Sequence, residues 1–245
     1  MIKRILLSIV ILLVAAYLVA AITAFNRQPA DLVCNAVEMV IKDSVYAGFI
    51  TRKEMVGMLE KKGVNPIGKP MGRIRTETLE QVLSGHPLVD RVECYKTPSG
   101  KLCMEVHQRI PILRVMNADG ENYYIDNKGN VMPRDARCTA HLPIVTGNVE
   151  KSFATKEIYK FGVFLQRNSF WASQIEQIHV LPGKNIELVP RVGDHLIYLG
   201  RLDNFESKLE RMKLFYEKGL NRIGWNKYER ISVEFGNQII GSKKE

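Results

Sequence analysis

Four cysteines, five histidines and two nearby aspartates are the side chains of this 245-residue sequence best suited to chemistry. Cys34, Cys94, Cys103 and Cys138 form an even set. In an oxidising compartment such a set permits two disulfides, with three connectivities. No Cys-x-x-Cys occurs, which excludes a zinc ribbon or a thioredoxin-type site. Cys94 and Cys103 flank a turn at Thr97-Pro98-Ser99-Gly100. A three-residue loop closed by a left-handed glycine pairs Val92 with Val106 and sends the two thiols to opposite faces, whereas a two-residue loop sets them opposite each other. The first register is preferred, so no Cys94–Cys103 disulfide is expected. A nucleophilic thiol needs a base or a helix start beside it, and no cysteine has a histidine so placed. His86, His107, His141, His179 and His195 are scattered without metal-ligand spacing. Asp126 and Asp135 are close enough to suggest paired carboxylates, but both flank turns, and turn formation accounts for them. Nucleophile-elbow, zincin, phosphate-loop and dinucleotide-loop motifs are missing. The sequence therefore predicts no enzyme, no cofactor and no metal, and directs attention to binding.

The elements that would present a binding surface begin with an apolar run. Ile5 to Phe25 carries no charge, and only Ser8 and Thr23 are clearly polar. About 20 residues at 1.5 Å rise match a bilayer core of about 30 Å, so a transmembrane helix is expected over 5–25. Lys3 and Arg4 precede it and Arg27 follows, which favours a cytoplasmic stub at 1–4 and an exported body. A cleavable signal peptide ending near Val19-Ala20-Ala21 is the rival; its apolar core is normally shorter. The formal charge is +9, of which Lys3 and Arg4 supply two. Basic residues interleave with acids, as in Glu206-Ser207-Lys208-Leu209-Glu210-Arg211. That pattern and export argue against nucleic acid as a partner.

Two modules follow. In the first, Leu32–Ile41 reads as a strand, and Thr51 with Glu54 forms a capping box before a helix that Gly63 ends. A second helix covers 76–83 and stops at His86-Pro87. Strands over 89–96 and 101–108 complete the order β-α-α-β-β. In the second, a hairpin lies around Asn127-Lys128-Gly129. A helix is predicted over 156–167, a strand over 175–181 and a hairpin over 186–199. A second amphipathic helix covers 204–218. Near the end Ile231, Val233 and Phe235 alternate with Ser232 and Glu234, as in a half-buried strand. A last strand at a sheet edge can accept a partner's strand; equally, it can simply complete the sheet.

The β-α-α-β-β order, with Leu-Val-Asp-Arg-Val-Glu-Cys-Tyr-Lys-Thr-Pro-Ser-Gly-Lys-Leu-Cys-Met-Glu-Val at its end, resembles a POTRA domain. Gln108-Arg109-Ile110-Pro111-Ile112-Leu113-Arg114-Val115 continues the likeness. So do Tyr123-Tyr124-Ile125-Asp126-Asn127-Lys128-Gly129 with Met132-Pro133, and Leu142-Pro143-Ile144-Val145-Thr146-Gly147. Together they are similar to the FtsQ/DivIB family of cell-division proteins, most of all its Bacteroidetes branch. The resemblance covers essentially the whole chain. It implies an α+β fold with an N-terminal transmembrane helix, a POTRA domain over 30–108, and a β domain over 109–241 of curved, mostly antiparallel sheet with packed helices. A tail over 242–245 ends the chain.

The resemblance further implies a divisome scaffold at the bacterial inner membrane and division septum, with its bulk in the periplasm. Its β domain would bind FtsB, itself paired with FtsL, by strand addition, and the POTRA domain would meet other division proteins. The implied partner-binding residues are Ile231, Ser232, Val233, Glu234, Phe235, Gly236, Gln238, Ile239 and Ile240. Glu234 stands where enterobacterial relatives carry an arginine, which removes any charged contact specific to that side chain but not main-chain pairing. Trp225 and Tyr228 are candidates for an aromatic anchor at the margin. Two rival classes are an envelope chaperone or translocation factor with a POTRA domain, and an exported enzyme. The first normally leads into a β-barrel, for which no room follows residue 110; the second lacks its constellation.

Overall fold

The computed structural model describes residues 2–25, 32–42, 49–134 and 141–244. Arg27, Asp135, Cys138 and Glu245 lie outside them. The chain divides into two compact units, one built mainly from residues before 107 and the other mainly from residues 107–245.

The first unit opens with α1 (Ile2–Phe25), a helix built on the apolar run. The expectation of a membrane span over 5–25 is corrected here. Among the described residues no helix is long and apolar enough to cross a membrane. The transmembrane part of the expected fold, the single-pass topology with a cytoplasmic stub, and the placement at the inner membrane and septum that rested on that helix are withdrawn with it.

Strand β1 (Ala36–Lys42) follows, later than the predicted start, because Val33 makes only an isolated bridge to Pro70. Helix α2 (Arg52–Lys61) begins after Thr51 and buries Met55 and Leu59. Gly63 (φ +68°) terminates it. The amides of Gly63 and Val64 donate to the carbonyls of Glu60 and Leu59, a closure that needs a left-handed residue. Helix α3 (Thr76–Ser84) buries Leu79 and Leu83. Strands β2 (Val89–Lys96) and β3 (Lys101–Gln108) complete a three-stranded sheet ordered β1-β3-β2. The Thr97 amide donates to the Lys101 carbonyl and Gly100 has φ +79°, so the loop is the three-residue one.

The second unit is a nine-stranded mixed sheet. Its strands are β4 (Pro111–Asn117), β5 (Asn122–Asp126), β6 (Val131–Pro133) and β7 (Ile144–Gly147). They continue with β8 (Ile175–Leu181), β9 (Asn185–Pro190), β10 (Leu196–Gly200), β11 (Tyr228–Ser232) and β12 (Ile240–Lys243). The order is β12-β11-β10-β9-β8-β7-β4-β5-β6. The pairs β4–β7, β7–β8 and β10–β11 are parallel and the rest antiparallel.

Helices pack on one face of this sheet. Helix α4 (Lys151–Phe153) runs through a π turn (Ala154–Ile158) into α5 (Tyr159–Arg167), and α6 (Ser169–Gln174) follows. Helix α7 (Phe205–Phe215) continues through a second π turn (Tyr216–Leu220) into α8 (Asn221–Ile223). The strand period of two directs one row of side chains toward them. Successive ladder partners Tyr123, Val115, Val145, Ile178, Leu188, Ile197 and Ile231 form that row, which ends at Gly241. All seven are buried, and burying each large aliphatic contributes about 1.5–3 kcal/mol. The neighbouring row, Met116, Thr146, His179, Glu187, Tyr198, Ser232 and Ile240, faces the other side and none of it is fully buried.

Candidate functional site

The chemical candidates separate in space. Cys34 is buried, and burial pushes its thiol up. The Cys94 thiol is pushed up to about 12, first by burial and then by the charge of Glu80, whose carboxylate accepts the Cys94 amide at 2.7 Å. Cys103 lies by Glu38, with Sγ 3.9 Å from Oε2. Cys34, Cys94 and Cys103 are free thiols, in keeping with the opposite faces of the three-residue hairpin. Asp126 is a structural anchor. It accepts Arg109 Nε and Nη2 at 2.8 and 2.6 Å and the amides of Lys128 and Asn130 at 3.0 and 2.7 Å, which fixes the β5–β6 turn. His179 Nδ1 is 2.9 Å from Thr146 Oγ1 on the half-exposed face. Among the described residues no three His, Cys, Asp or Glu side chains could hold a metal ion together.

The C-terminal residues do converge, at one end of the large sheet. Phe235 is 49% exposed and Ile240 45%, against 0% for Ile231 and Val233. Gly236 and Gln238 are exposed, whereas Ser232, Glu234 and Ile239 are half-buried. Ile231 and Ser232 belong to β11, but β11 is not an edge: β10 pairs on one side and β12 on the other. The edge is β12, every residue of which is exposed.

Backbone direction along this edge follows from one bond. The Val233 amide donates to the Tyr198 carbonyl at 3.0 Å. Alternate residues of a strand turn their backbone groups to the same side, so Ile231 and Val233 face β10, while Arg230 and Ser232 face β12. Their partners Ser242 and Ile240 face back. Gly241, opposite Ile231, therefore presents its N–H and C=O to the open side. Its missing side chain matters as well, since a Cβ there would lie 2.6 Å from the Tyr228 ring.

Two neighbours that sequence reasoning missed shape this end. Arg211 of α7 donates from Nη2 to the carbonyls of Val233 and Phe235, at 2.8 and 2.9 Å. An apolar groove of about 500 Å³ lies between α7 with its π turn and the turn before β12, lined by Leu214, Phe215, Lys218 and Ile239 among others. The only signal for Arg211 was its helical spacing within a charged face, which resembles any solvated arginine. Trp225 rests on the Tyr216 ring, centroids 4.7 Å apart, and its Nε1 donates to Asn221, so it serves packing as much as the surface. His195 is buried beside it, with Nε2 2.8 Å from the Tyr216 hydroxyl.

The family model FtsQ/DivIB, C-terminal related, matches residues 110–242. A POTRA-like domain model matches residues 32–107. No curated protein matches the chain. The C-terminal match covers more than half of the sequence and contains the nine-stranded sheet up to Ser242 of the open β12 edge. The chain belongs to the FtsQ/DivIB family, whose members are non-enzymatic scaffolds that contact other proteins of the division machinery.

Proposed function

We propose that this scaffold binds FtsB, paired with FtsL, by adding a strand of the partner to the open edge of β12, and so ties division proteins to septal peptidoglycan synthesis. Residues 30–108 act as the POTRA domain, which meets other division proteins, and residues 109–241 as the β domain. The observation that carries this reading is the exposed terminal strand, whose Gly241 turns a donor and an acceptor outward. Within the candidate set, Ile240 and its neighbours Gly241 to Lys243 lie along the docking strand. Phe235, Gly236, Gln238 and Ile239 border its approach, while Ser232 and Glu234 flank the turn. Ile231 and Val233 support it from the core.

Position 241 tests this reading. Gly241→Ala and Gly241→Pro both place a Cβ against Tyr228, but only proline removes the outward donor. Affinity for FtsB measured by calorimetry should fall at least tenfold further in Gly241→Pro than in Gly241→Ala. Equal affinities in two folded variants would exclude main-chain pairing at this edge.

A further inference from the structure

The free edge depends on where β11 leads the chain, and there the sheet stops helping. Strand β10 ends at Gly200, and the Val233 amide makes the last ladder bond to it, through Tyr198. Beyond that bond the carbonyls of Val233 and Phe235 face a side with no strand. A single guanidinium nitrogen takes the place of one. Nη2 of Arg211 carries two hydrogens and gives one to each carbonyl, at 2.8 and 2.9 Å. The two acceptors are two residues apart, the repeat of a strand edge. Arg211 Nε is buried and unpartnered. The side chain thus leaves one of its own donors unsatisfied while meeting both carbonyls. Ahead of this clamp lie only the turn at Gly236 to Gln238 and then β12.

We propose that Arg211 is a positioning residue for the docking edge. From α7 it continues the missing β10 side of the ladder as far as Phe235, and so sets the course on which the chain turns back to form β12. It touches no partner; it acts through the backbone of 233–235. Its importance for partner binding rests on the strand-addition reading above, but its effect on β12 does not.

Hydrogen exchange in the full-length chain separates the two. The Ile240 and Ser242 amides, which face β11, report the hairpin; those of Ile178 and Leu188, in the middle of the sheet, serve as reference. Arg211→Met should speed exchange at 240 and 242 at least tenfold, leave 178 and 188 unchanged, and weaken FtsB binding tenfold or more. Arg211→Lys, with the charge and enough donor hydrogens but not the planar, preorganised guanidinium, should recover part of both effects. Unchanged exchange at 240 and 242 overturns the proposal, as does an equal rise at all four amides. Faster exchange confined to 240 and 242, in a protein whose wild type does not bind FtsB, keeps the role of Arg211 and removes strand addition. If Arg211→Met does not fold, Arg211→Lys against wild type carries the same comparison.

Discussion

Tyr216 occupies the point where the second π turn leaves α7, and its hydroxyl meets His195 Nε2 inside a cluster that includes Trp171 and Trp225. Burial pushes its phenol up, so it stays neutral throughout the physiological range. His195 Nδ1 has no partner already. Tyr216→Phe would strip the imidazole of its remaining partner at almost unchanged volume, and leaving a buried polar group unmet costs about 1–3 kcal/mol. Chemical denaturation should show that loss. A change below about 0.5 kcal/mol would mean that the bond contributes nothing net. Gly193 belongs to the same corner: with φ +88°, a Cβ on it would lie 2.7 Å from His195 Nδ1, so the ring fills the space a side chain would take.

Between elements, α5 approaches β4 closely. A Cβ at Gly162 would lie 2.6 Å from Leu113 Cδ1 and 2.8 Å from Cγ. Gly162→Ala improves helix propensity by up to about 1 kcal/mol but overpacks by about 1–3 kcal/mol, so a net loss of stability is expected. A denaturation midpoint at or above wild type would show that Leu113 moves aside freely. The same elements show what could be read from the sequence. Strand β3 alternates cleanly, and the predicted bounds of β2, β3 and β8 match the structure. Strand β4 begins at Pro111, whose missing donor is harmless at a first strand residue, so a breaker signal concealed a central strand. Strand β7 is four residues long and α6 six, too short for a period to appear. The candidate site was half legible. The alternation of Ile231, Val233 and Phe235 marked a buried face correctly at the first two, but Phe235 lies past the end of β11 and is 49% exposed, and nothing local reveals which strands flank β11. Ile240-Gly241-Ser242-Lys243 has no apolar period, and the expected tail begins within it, at Ser242. It becomes a strand because β11 offers it a ladder, a tertiary fact.

For the molecule as a whole, His195 predicts a pH dependence. Burial holds its pKa below the ordinary imidazole value, with Lys244 acting in the same direction and Asp194 against it. The unfolded chain therefore takes up a proton near pH 6.5 that the folded chain refuses. Stability from the neutral ring is complete above about pH 6.5 and declines as pH falls toward the folded value, by at most about 1.4 kcal/mol per pH unit. Urea midpoints between pH 7.5 and 5 should fall in the wild type and flatten in His195→Asn. Parallel slopes in the two would assign the dependence to other groups.

Gly241 closes the inward row that begins at Tyr123, and its ladder partner Ile231 lies directly on Ile197 of β10. That arrangement has a mechanical meaning. A chain paired along β12 lies parallel to the strand axis, so tension along it loads the β12–β11 and β11–β10 hydrogen bonds in shear, many together, rather than peeling them apart one after another. The corner of the molecule that ends in the fully exposed strand β12 is then the one best suited to carry a pull from a tethered partner into the core.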